Sequence, residues 1–91
     1  MSIDLLNAMS GNPKSLLEIE SLAMTAMLNP EESRRRSAIS SLLQNYANLR
    51  GGHVVNSQLF LIMDVEGRDT TAYVCNIPHD YLGKPTYPFE L

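Results

Sequence analysis

Between positions 29 and 52 the chain reads NPEESRRRSAISSLLQNYANLRGG, a helix start, an apolar stripe and a glycine pair in immediate succession. Asn29 and Glu32 have capping-box spacing, and Pro30 suits a first helical position, where its missing N–H costs nothing. Glu31 and Glu32 sit where the positive end of the helix dipole would favour them. Ala38, Ile39, Leu42, Leu43, Tyr46, Ala47 and Leu49 keep a 3.6-residue period. Arg50 meets the negative end of the dipole, and Gly51-Gly52 reads as a stop. The pattern predicts a helix over 31–50, roughly 30 Å long. It divides a helical first half of the chain from a strand-like second half.

Upstream, Ser2 is positioned to cap a short helix bearing Ile3, Leu5, Leu6 and Met9, with Gly11 as its stop. Asn12-Pro13 restarts the chain, and residues 13–28 are rich in Leu, Ala, Met and Glu, all good helix formers. Apolar residues occupy well over half of that helix's circumference, and only Glu18, Ser21 and Thr25 make a coherent polar stripe. Such a helix needs cover on more than one side. The gap between Leu28 and Glu31 leaves no room for a long loop, so the two helices form a hairpin.

Downstream the period changes. Residues 53–65 read as one strand and 69–77 as its return, rich in Thr, Tyr, Val and Ile. Asp64-Val65-Glu66-Gly67-Arg68 fits the joining turn. A register with Asp64 facing Arg68 is preferred over a two-residue turn at Glu66-Gly67, which sets Asp64 against Asp69. The preferred register puts Phe60, Ile62, Ala72 and Val74 on one face. Val55, Leu59, Leu61, Met63, Tyr73, Cys75 and Ile77 then lie on the other. Both faces are apolar. The helices cover one, and the other calls for the C-terminal tail or a second copy of the chain.

That tail, residues 78–91, holds Pro78, Pro85 and Pro88, which argue against helix or central strand. Tyr81, Leu82, Tyr87, Phe89 and Leu91 are many anchors for a solvated tail. The gain from burying them nearly offsets the cost of ordering the segment, so it docks only where a groove receives it. The expected fold is therefore α+β: a short N-terminal helix and a helical hairpin packed on an antiparallel β-hairpin, forming one domain over 1–77, with an extended arm over 78–91.

With 91 residues the chain is long enough for one modest core. Its formal net charge of −3 works against non-specific binding to nucleic acid or anionic lipid. One cysteine excludes an intramolecular disulfide and fits a reducing compartment. The first residues lack the basic region and long apolar run of a signal peptide, and no apolar run is long enough to span a membrane. The expectation is a cytoplasmic protein.

Four features are candidates for function. Arg34, Arg35 and Arg36 read either as a solvated turn paired to Glu31 and Glu32, or as a site for an acidic partner or nucleic acid. Glu20 projects into the apolar sector of its helix, where Arg35 or Arg36 is the expected ion-pair partner. Cys75, His79 and Asp80, with His53, have no spacing that matches a nucleophile–base or zinc pattern, and a buried structural cysteine is the simpler reading of Cys75. Pro85-Thr86-Tyr87-Pro88 is formally PxxP but lacks a flanking arginine.

No catalytic residue, metal ligand or cofactor site is expected. The expectation is a small non-enzymatic, homodimeric interaction protein: an inhibitor, adaptor or accessory protein of the kind common in phage and mobile elements. Its contacts with another protein would come from Arg34, Arg35, Arg36, Tyr81, Tyr87 and Phe89. The alternative is a nucleic-acid-binding regulator using the arginine-bearing helix.

Overall fold

A computed structural model describes residues 2–3 and 15–91. The fold is α+β. Its elements are β1 (Ser2–Ile3), α1 (Leu16–Leu28), α2 (Glu32–Asn45), β2 (Leu49–Val55), β3 (Gln58–Val65), β4 (Arg68–Asn76), a 3₁₀ turn (His79–Tyr81) and β5 (Phe89–Glu90). The sheet order is β1-β4-β3-β2-β5, with β1 parallel to β4 and every other pair antiparallel. Ser2–Ile3 pair with Thr71 and Ala72 as a strand, so Ser2 is not a helix cap; the rest of the expected N-terminal helix lies outside the described residues.

The helical hairpin forms as its periodicity requires, with shorter limits than expected. Ser15, not Asn12, caps α1, its Oγ accepting the Glu18 N–H at 3.3 Å. Asn29 ends α1, and its Oδ1 accepts the Glu31 N–H at 2.9 Å, an Asx-turn that redirects the chain into α2. Glu31 is the N-cap, so the anticipated Asn29–Glu32 capping box does not form. The buried stripe of α1, Ile19, Ala23, Ala26 and Met27, meets Ala38, Leu42 and the following Tyr46 on one side and the sheet on the other. This double contact accounts for the inward part of α1's apolar circumference, whereas Leu16 and Leu17 at its start stay 50% and 78% exposed.

The main departure from expectation is at the end of α2, which stops at Asn45, five residues before Arg50. Leu49, Arg50 and the two glycines belong to strand β2. What reads as one strand over 53–65 is two, broken at Asn56-Ser57, whose φ values of 50° and 60° make a tight two-residue turn. The expected hairpin is thus a three-stranded meander. The second turn, Glu66-Gly67, has φ values of 53° and 80°, the left-handed pair whose twist matches the flanking strands.

This turn sets Asp64 against Asp69, the register that like-charge repulsion argues against. The third strand reconciles it. Arg50 of β2 places Nη2 3.1 Å from Asp64 Oδ2, supplying a cation where the hairpin alone has none. A register shifted by one residue exchanges the faces of β4. Ala72 and Val74 therefore join Leu59, Leu61 and Met63 against the helices, and Tyr73 joins Phe60 and Ile62 on the opposite face. An irregularity after Leu59 brings Cys75 opposite that core residue.

The arm folds back on its own chain, along the helix side of the sheet. The Tyr87 N–H donates to Met27 O at 2.8 Å, and the Arg35 guanidinium lies 3.9 Å from the Tyr87 ring centroid. β5 then pairs with β2, Gly51 opposite Glu90 and Gly52 opposite Phe89, and the Leu91 N–H donates to Arg50 O at 2.7 Å. Both glycines are required by this approach. A Cβ on Gly52 would fall 2.6 Å from the Phe89 ring and 3.1 Å from Met27 Sδ. A Cβ on Gly51 would fall 2.6 Å from the Phe89 carbonyl oxygen, which is backbone and cannot swing aside. Gly51→Ala should therefore lift β5 from β2, accelerating amide exchange at Leu91 and lowering stability by about 1–3 kcal/mol in urea unfolding. Unchanged Leu91 protection would show that the arm is held by other contacts.

Candidate interaction face

The face of the sheet opposite the helices is ordered in three rows running across β2, β3 and β4. In the first, His53, Phe60 and Tyr73 stack as a ladder. The His53 and Phe60 ring centroids are 5.7 Å apart at 28°, and those of Phe60 and Tyr73 are 5.8 Å apart at 67°. Cross-strand aromatic contacts of this kind each contribute about 0.5–1.5 kcal/mol beyond area burial. The Tyr73 hydroxyl donates to Asn76 Oδ1 at 2.9 Å, which holds the ring upright at the end of the ladder. The second row is Gly51, Ile62 and Thr71. The third is Arg50, Asp64 and Asp69; Glu90 of β5 lies opposite Gly51, at the end of the second row.

The described residues leave this face open. Tyr73 is 39% exposed and Val55 45%, while the arm runs along the helices. A groove of about 500 Å³ opens beside β5, its lining including Arg50, His53, Ile62, Asp69, Glu90 and Leu91. One buried oxygen at its charged end, Asp64 Oδ1, has no hydrogen-bond partner among the described residues.

The residues expected to meet a partner lie elsewhere, and several are engaged within the chain. Arg34 Nε is 2.9 Å from Glu31 Oε2 and Arg36 Nη2 is 2.9 Å from Glu32 Oε1, both on the helix surface. Arg35 is half-buried: its Nη1 donates to Asn29 O at 2.8 Å and its plane covers Tyr87. The expected Glu31–Arg35 pair is replaced by Glu31–Arg34, and the arginines expected for Glu20 have these other partners. Phe89 is half-buried beside Gly52. Tyr81 is at the surface in the 3₁₀ turn, with Lys84 Nζ 5.5 Å from its ring centroid. The open sheet face shares none of these residues. Its alternation is present in the sequence at Phe60 and Ile62, but Tyr73 joins them only in the observed register.

The other candidates are separated. Cys75 is half-buried, whereas His79 and Asp80 lie beyond the end of β4 in the 3₁₀ turn and His53 belongs to the aromatic ladder. Among the described residues no three His, Cys, Asp or Glu side chains converge as a metal site. No described helix is long and apolar enough to cross a membrane. Comparison of the chain with protein-family models, with curated proteins and with solved structures gives no match.

Burial, and secondarily the Glu20 carboxylate, pushes the Cys75 thiol up from 9.0 to about 11. The folded thiol therefore stays protonated where a free one ionises. Alkylation of native Cys75 at pH 8 should be about 10- to 100-fold slower than in urea, and Glu20→Gln should accelerate the native reaction. Between pH 9 and about 11 the unfolded chain releases this proton before the folded one, so the thiol's contribution to stability falls as pH rises through that window. Equal native and unfolded rates would contradict the placement of Cys75.

Proposed function

We propose that this chain is a small non-enzymatic protein-interaction module, an inhibitor, adaptor or accessory protein, that works as a homodimer through the face bearing His53, Phe60 and Tyr73. The observation that carries this reading is an ordered aromatic and aliphatic sheet face that the described residues leave open, the arm lying on the helix side. A patch of this kind is a recurrent mark of protein contact. Its charges favour a protein over a polyanion: Asp64, Asp69 and Glu90 surround one arginine. The nucleic-acid reading rests on three cations of α2, and two of them are matched by neighbouring glutamates while Arg35 is half-buried. The single cysteine supports a reducing, cytoplasmic setting.

Light scattering across a wide range of concentration tests the reading. The wild-type chain should self-associate, and Phe60→Asp should be monomeric with its thermal unfolding still cooperative. Self-association undiminished by Phe60→Asp would remove this face from the account.

A further inference from the structure

We infer that the occupant of the open sheet face is a second copy of the chain, docked face to face about a two-fold axis along β3, with Arg50 of each copy paired to Asp69 of the other. The inference rests on the proposed function and specifies its partner and register. Two in-plane two-fold axes bring the faces together with their strands aligned. An axis across the strands lays the first row of one copy over the third row of the other. That arrangement presses Asp64 and Asp69 onto Phe60 and Tyr73; Asp64 keeps the Arg50 of its own copy, but Asp69 loses water without gaining a cation from the other copy.

An axis along β3 keeps the strands parallel and sets β2 of one copy over β4 of the other, so each row meets itself reversed. Phe60 then stacks on Phe60, His53 faces Tyr73, and side-chain-free Gly51 faces Thr71. In the third row Arg50 faces Asp69, a pair the two-fold makes twice, while Asp64 meets Asp64 of the other copy on the axis, each carboxylate held by the Arg50 of its own copy. The Arg50 side chain is 53% exposed and uses Nη2 for Asp64, leaving its other N–H groups to reach across. The aligned packing of twisted sheets, at about −30°, displaces the row ends by a few ångströms, within the reach of an arginine.

Area sets the strength. Three strands of 7, 8 and 9 residues, at spacings of ~4.8 Å and rises of ~3.3 Å, give a footprint on the order of 400–500 Å². A standard interface covers about 800 Å² per partner, so this is a weak, reversible dimer that needs its charge register.

The test is a reciprocal charge exchange on full-length chains, with self-association read by sedimentation and folding checked by thermal unfolding. Asp69→Lys alone sets cation against cation at both contacts, and Arg50→Asp alone sets carboxylate against carboxylate at both. Each variant by itself should associate at least about tenfold more weakly than wild type. Their mixture restores opposite charges at both contacts and should associate about as well as wild type. If both variants self-associate like wild type while Phe60→Asp is monomeric, the register is wrong and the interaction face stands. If Phe60→Asp also associates like wild type, the face itself falls. A wild-type chain that is monomeric at all concentrations overturns the inference outright.

Discussion

The structure depends on the close approach of β5 to Gly51-Gly52. Two adjacent residues without side chains let the Phe89 backbone reach β2 at Gly51 and let the Phe89 ring share the space of a missing Cβ with Met27 Sδ at Gly52. The arm is thereby tied at both ends of its return: Tyr87 to Met27 and Arg35, and Leu91 to Arg50. This seals the seam between helices and sheet without adding a layer to the opposite face. It also covers part of the β2 edge, whose unpaired backbone groups would otherwise invite strand addition.

The residues around the same glycine pair shape the open face. A groove lined by Gly52, Ile62 and Glu90 runs beside β5, and the irregularity at Arg50 lets its side chain turn to Asp64 at the charged end. The face is then graded, aromatic at one end and charged at the other, with Gly51, Ile62 and Thr71 between. A uniform apolar face would accept many orientations of a partner. A graded one discriminates among them, because burying an unpaired carboxylate costs more than an aromatic contact contributes.

Legibility in the sequence differs by element. The helical hairpin is legible, because a 3.6-residue stripe and Asn-Pro punctuation act locally. The end of α2 is not, since Leu49 keeps the helical phase and Arg-Gly-Gly has the form of a helix stop. Glycine before a loop and glycine under a neighbouring strand look alike until the strand is seen. The Asn56-Ser57 turn carries no glycine, and the adjoining apolar residues conceal it. The hairpin register fails for a related reason. Repulsion between Asp64 and Asp69 is a sound objection to two strands, and Arg50 answers it only from a third. The anchors of the arm are legible as anchors, but their near balance against ordering entropy leaves their destination to a groove that exists only in the assembled fold. The arginines of α2 draw attention because charge density is visible in sequence, whereas the open face combines residues from three strands.

The arm closes on its own chain, and the proposal places a second copy on the opposite sheet face. A dilution series followed by residue-resolved NMR tests both halves together. Concentration-dependent shifts should concentrate at His53, Phe60, Ile62, Thr71 and Tyr73, with Tyr87, Phe89 and Leu91 unmoved. Shifts concentrated at the arm, or none at any concentration, would contradict this arrangement.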